Sequence, residues 1–250
     1  MALRLVQTGK GDPRPLVLGF LLGGDLDAYL PIAVGEQACL ILDDLASGPA
    51  MPQILEFAYR KAGLRNISEL ALIGYSAGCR RVRELRLAGA NASAYILVDG
   101  THASMPPQNW QIDWLRDLAN QARQGRILVV ASHTQQTYCE NLANGQAYAS
   151  TWRVLQMATG WPLSKGGTIE NPAIARQGEL YVYSYASAKA DAAAHRAQYS
   201  QVPVLCSGHL GPWLGRPRGQ TAQASGNEDT ILPLGLLGVA ALMTLGNEKP

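Results

Sequence analysis

Apolar residues in this chain gather into short runs, separated by stretches in which they recur every three or four positions. Six runs stand out: PLVLGFLL (15–22), ACLILDD (38–44), LALI (70–73), AYILVDG (94–100), RILVVAS (126–132) and LYVYSYA (180–186). Each predicts a buried strand. Helix-period segments lie between them. Ile54, Leu55 and Ala58 share a face before Gly63, Val82 and Leu85 share one before Gly89, and Leu115, Leu118 and Ala122 share one before Gly125. A glycine just past the last periodic residue is a common helix stop. The alternation predicts an α/β fold built of βαβ units, with a mostly parallel sheet flanked by helices.

Two regions depart from the alternation. Residues 134–178 separate two predicted strands and contain a helical pattern around Tyr148–Met157 followed by WPLSKGG. A connection of this length predicts a lid or binding loop. After residue 215 the composition changes again. RPRGQTAQASGNED (216–229) is polar and linker-like, and ILPLGLLGVAALMTL (231–245) is a run of fifteen uncharged residues. The expected organisation is one domain over 1–215, a linker over 216–230 and an apolar segment over 231–250. In a helix, fifteen residues span about 22 Å, short of a hydrocarbon core of roughly 30 Å. The run therefore has three readings: a membrane-associating segment, a contact for a partner or oligomer, or an element packed on its own domain.

Composition narrows the classes. The chain has 250 residues, 47% hydrophobic and 16% charged, which is globular and long enough for a sizeable core. A formal net charge of +2 gives no footprint for nucleic acid, and the basic run CRRVREL (79–85) reads as the solvated face of a helix. The cysteines at 39, 79, 139 and 206 are scattered with no CxxC, which fits neither a zinc site nor a disulfide framework. MALRLVQTGKGDPRP lacks the apolar core of a signal peptide, so the expectation is a cytoplasmic protein, with membrane association only through the tail. There is no GxGxxG, P-loop or HExxH, and no cofactor or metal is expected. Asp25 and Asp27 are too few oxygen ligands for a cation site.

The most specific chemistry lies in LALIGYSAGCRRV (70–82). Ser76 stands in Gly74-Tyr75-Ser76-Ala77-Gly78, after a predicted strand and before a predicted helix, the context of a nucleophile elbow. A sharp turn holds the serine, and side chains two positions either side would strike the neighbouring strand and helix. The helix N-terminus beside it favours developing negative charge.

On this motif the sequence resembles the α/β-hydrolase superfamily over roughly residues 14–215. The resemblance implies a serine, an acid and a histidine in that chain order, with an oxyanion hole at the residue after the serine and at the end of an earlier strand. A serine needs a base within hydrogen-bond reach. His195, on the segment after the last predicted strand, occupies the family's position for it; His102 and His133 are alternatives. His209, on the stripe Val202, Leu205, Cys206, His209 and Trp213, reads as structural.

The exit of the strand at 126–131 carries no carboxylate where many relatives have their acid. Asp99, at the end of AYILVDG, is the favoured acid, and Asp191, four residues before His195, the runner-up. Ala77 N–H is the first expected oxyanion donor, with Leu22 or a neighbour in FLLGGDLDAY as the second. Together these residues predict hydrolysis of a carboxylic ester, with a mild preference for lipid-like acyl groups should Tyr138, Tyr148, Trp152, Met157 and Trp161 line a pocket. The competing reading is a catalytically silent hydrolase-fold protein that binds or builds.

Overall fold

A strand exposes alternate residues to opposite faces, so a run without polar members must be covered on both sides. The computed structural model describes residues 3–21, 25–43, 48–134, 147–163, 166–185 and 192–216, and its sheet meets that demand. The chain opens with β1 (Leu3–Gln7), β2 (Arg14–Phe20), α1 (Leu30–Val34), β3 (Cys39–Asp43), α2 (Met51–Ala62) and β4 (Ile67–Tyr75). It continues with α3 (Gly78–Leu87), β5 (Ala94–Val98), β6 (Ala103–Ser104), α4 (Asn109–Arg123), β7 (Leu128–Thr134), β8 (Tyr148–Ala149) and α5 (Thr151–Thr159). Then come β9 (Ala173–Gln177), β10 (Leu180–Tyr185), α6 (Ala192–Ala197), α7 (Gln201–Leu205) and α8 (Gly211–Leu214). A 3₁₀ turn (Gln198–Ser200) precedes α7 and a π turn (Cys206–Leu210) follows it.

The principal sheet has eight strands in the order β1-β3-β2-β4-β5-β7-β10-β9. The six inner strands are parallel, and β1 and β9 close the two edges antiparallel. One face gathers Leu16, Leu18, Ile41, Leu72, Tyr95, Leu97 and Val129 with the apolar sides of α2 to α5. The other gathers Val17, Leu40, Ile73, Ile96 and Val130 with α1, α7 and the π turn. Odd and even positions of the same strands thus feed different cores. The basic run at 79–85 lies on the outer side of α3, where Arg80 and Arg81 pair with Glu84 while Val82 and Leu85 are buried.

Strand order reverses around β2. The chain steps from β2 to β3 on one side, then crosses to β4 on the other. In open α/β sheets such a reversal opens a crevice at the carboxyl ends of the strands. Register aligns those ends: Tyr75 lies opposite Val98, Val98 opposite Ser132, and Ser132 opposite Tyr183. The residues leaving β4 and β5 therefore emerge side by side.

Several expectations need adjustment. The strand predicted over 94–100 stops at Val98, because Asp99 takes a left-handed backbone conformation and ends the extended run, although its N–H still bonds the Ser132 carbonyl. The edge strands β1 and β9, the ribbon of β6 with β8, and α1 are additions to the predicted elements. The described part of the lid-like insertion 134–178 belongs to the body. β7 runs through Thr134, β9 extends the sheet, and α5 buries Val154, Leu155 and Ala158 while packing on α4 and β7. The helix predicted around Tyr148–Met157 is α5, moved toward the C-terminus because Tyr148 and Ala149 pair with β6 and Ser150 caps the helix. Trp152 and Trp161 are half-buried and pack against the body core. Tyr138, most of the linker and the whole apolar segment 231–245 lie outside the described residues. Among the described residues no helix is long and apolar enough to cross a membrane.

Candidate active site

Ser76 is the first residue beyond β4 and has φ of +52°. Its N–H donates to the Val98 carbonyl at 3.0 Å, and the Cys79 N–H returns to the Ser76 carbonyl at 3.0 Å, closing a strand–turn–helix. The flanking glycines are required by contact. A Cβ on Gly74 would lie 2.8 Å from the Cys79 backbone of α3, and one on Gly78 would lie 1.9 Å from the Phe20 carbonyl at the end of β2. The small residues of the motif thus let helix, turn and neighbouring strand touch backbone to backbone. Ala77 is exposed at the N-cap of α3, and its N–H has no acceptor among the described residues.

Asp99 is the first residue beyond β5, with φ of +40° and its N–H donating to the Ser132 carbonyl at 3.0 Å. Its side chain is fully buried. Oδ2 lies 2.8 Å from His195 Nδ1, and His195 Nε2 lies 2.9 Å from Ser76 Oγ. An ionised carboxylate accepts from Nδ1–H, which leaves Nε2 as the acceptor for the serine proton. His195 is 5% exposed, while Ser76 is half-buried. Of the non-glycine residues described, Ser76 and Asp99 are the two with positive φ. Backbone strain of this kind, roughly 1–3 kcal/mol per residue, persists only where surrounding contacts fix it.

The structure brings together Ser76, Asp99 and His195, and Ala77 lies beside them. Leu22 and Asp191 lie outside the described residues. The other histidines have different partners. His133 is wholly buried, with Nδ1–H donating to the Thr134 carbonyl at 2.7 Å and Nε2 facing the Ser184 hydroxyl at 2.8 Å, so neither nitrogen is free for a substrate proton. His209 packs on Tyr181, and its Nε2 meets the Tyr183 hydroxyl at 2.6 Å. Burial pushes its imidazole down to about 4, with Arg176 acting in the same direction. His102 stands nearest the triad, its ring 6.4 Å from that of His195. Burial depresses its pKa, with Asp99 opposing and His195 adding to the effect. No hydrogen bond joins His102 to Ser76 among the described residues.

Three supporting features had no signal in the one-dimensional pattern. The Tyr75 hydroxyl donates to the His195 main-chain carbonyl at 3.1 Å. The Ser132 hydroxyl bonds Gln198 at 2.7 Å, tying β7 to the segment after α6. A Cβ on Gly100 would lie 2.0 Å from the Ser76 carbonyl, so the acid turn and the serine turn pack directly together. A cleft of about 520 Å³ lined by Asp12, Tyr59, Arg60, Gly63 and Arg65 opens at the amino-terminal side of the sheet, away from this chemistry. No group of three or more His, Cys, Asp or Glu side chains that could hold a metal occurs among the described residues.

Comparisons with models of known protein families, with curated proteins and with solved structures find no match for this chain.

Proposed function

We propose that this chain is a serine hydrolase of the α/β-hydrolase type, cleaving a carboxylic ester through an acyl-enzyme. The observation that carries the reading is the continuous line from Ser76 Oγ through His195 Nε2 and Nδ1 to Asp99 Oδ2. His195 takes the serine proton as Ser76 attacks the acyl carbon. Asp99 holds the imidazole in the tautomer that can accept it and stabilises the imidazolium that forms. The tetrahedral oxyanion is met by the Ala77 N–H and the N-terminus of α3. His195 then protonates the departing alkoxide, giving the acyl-enzyme and an alcohol. Water attacks the acyl group in the second half, with His195 again as base, and releases the acid and free Ser76.

The silent, binding-only reading gains from a His195 turned to solvent or a Ser76 sealed under the tail. Against the first, His195 is 5% exposed with its Nε2 2.9 Å from Ser76 Oγ; the tail lies outside the described residues.

The test is labelling by a fluorophosphonate probe of the wild type, Ser76→Ala and His195→Ala. Loss of a triad member costs on the order of 10⁴–10⁶ in rate, so labelling in both variants should vanish. Folded wild-type protein that fails to label refutes the hydrolase reading.

A further inference from the structure

The residue before the serine sits where the base needs support. His195 enters on α6, which is six residues long and has His195 as its single buried residue. So short a helix with so little buried surface cannot by itself hold an imidazole to the few tenths of an ångström that proton transfer demands. Tyr75 faces it from β4. It is 3% exposed, and its backbone is fixed in the ladder opposite Val98. Its hydroxyl donates to the His195 carbonyl at 3.1 Å, and its ring stacks on the His195 imidazole, centroids 5.1 Å apart and planes 19° from parallel. The Tyr199 ring packs against Tyr75 at 4.9 Å and 56°.

We propose that Tyr75 is the positioning residue for the base: its hydroxyl pins the His195 main chain and its ring fixes the plane of the imidazole. The proposal rests on the hydrolase reading for its catalytic meaning, although the clamp itself is a statement about geometry. One peptide unit then joins the nucleophile to the group that orients its base. Ser76 Oγ and His195 Nε2 keep their 2.9 Å separation because both are referred to the end of β4. The stacked face also carries the negative lobe of the phenol quadrupole, which favours the imidazolium formed after proton transfer. The two contacts separate by mutation. Tyr75→Phe keeps the ring and loses the hydroxyl, while Tyr75→Leu and Tyr75→Met lose both.

Two readouts distinguish a clamp from general destabilisation. The first is the downfield proton resonance of His195 Nδ1–H in its bond to Asp99; the second is the rate of fluorophosphonate labelling. In Tyr75→Phe the resonance should persist and labelling slow roughly 3- to 10-fold, the loss of one net hydrogen bond. In Tyr75→Leu and Tyr75→Met the resonance should broaden away and labelling slow roughly 10- to 100-fold, as misplacement of a reacting group does. Leu97→Ala, a buried core change on the opposite face of the sheet, is the destabilised control and should keep the resonance. If the aliphatic variants keep it and label as fast as Tyr75→Phe, or if Leu97→Ala loses it too, the clamp is refuted. Wild type that shows the resonance without labelling overturns the hydrolase reading alone, and the resonance comparison still decides the clamp.

Discussion

Replacing Asp99 by asparagine changes one oxygen for an NH₂ group at nearly constant volume, in a place where the consequence can be worked out. Asp99 and His195 are 0% and 6% exposed at their side chains and 2.8 Å apart, so water does not screen them. As Ser76 loses its proton, an imidazolium forms against the carboxylate. Unit charges about 4 Å apart at an effective dielectric of about 20 attract by about 4 kcal/mol, or roughly three decades in rate. Asparagine removes that attraction. It can also turn its NH₂ toward Nδ1, which puts the imidazole proton on Nε2, where it faces Ser76 and cannot accept. The two effects together predict a fall in kcat of roughly 10³ to 10⁴ with little change in KM. Turnover of short p-nitrophenyl esters measures this, with a thermal melt to establish that the variant is folded. Asp191→Asn in the same assay tests the carboxylate four residues before His195 and should leave kcat near wild type. A folded Asp99→Asn enzyme retaining more than about a tenth of its kcat, where the charge alone should contribute about three decades, refutes the assignment. So does an Asp191→Asn enzyme that loses activity in its place.

Two further outcomes follow from packing and titration. Gly78→Ala puts a methyl group 1.9 Å from the Phe20 carbonyl, a backbone atom that cannot turn aside. It should lower stability by about 1–3 kcal/mol and slow labelling by roughly 100-fold, and a variant that melts and labels like wild type refutes the packing account. His209 titrates near 4 in the fold against 6.5 as its ordinary value, so between these the unfolded chain binds more protons and stability falls as pH drops. His209→Phe should flatten the dependence of melting temperature on pH across that window; His102 and His133, also depressed by burial, keep it from vanishing. An unchanged slope in His209→Phe refutes the role given to that burial.

The parts legible in the sequence are those whose signal is local. PLVLGFLL and AYILVDG have no polar member facing either way over most of their length, and both are central strands. Gly63, Gly89 and Gly125 each have positive φ just past a helix, which is what a glycine there implies. β1 and β9 were illegible because they are edge strands. LRLVQ and AIARQ are only half-covered and carry charge, so neither forms an apolar run. The insertion was legible only by its length, which suggests a lid. Its described residues serve the body, the apolar face of α5 packing on α4 and β7 and β9 closing the sheet edge. The acid stayed ambiguous because its position depends on register, a long-range property. Asp191 is close to His195 in sequence, but Asp99 reaches it because Tyr75 pairs with Val98. No pattern of residue types announces that Tyr75 will lie on the imidazole of a residue 120 positions away.

That register also explains how the strained turns endure. Ser76 and Asp99 each leave a strand with positive φ, a conformation that isolated residues of their type avoid. Each nevertheless donates its N–H to the next strand, Ser76 to Val98 and Asp99 to Ser132, both at 3.0 Å. The ladder is thus extended by one bond on each side while the side chain is thrown out of the pleat and toward the other. The glycines remove the steric obstacles: Gly78 lets α3 approach β2, and Gly100 lets the acid turn lie against the Ser76 carbonyl. A sheet with β4 and β5 slipped by one residue would keep much of its burial but would separate the two turns. The strain is therefore sustained by the parallel pairing that the apolar runs enforce, and the same pairing sets the distance between nucleophile and acid. Stability of the core and geometry of the site rest on one set of hydrogen bonds, which places the candidate chemistry at the sheet's carboxyl edge.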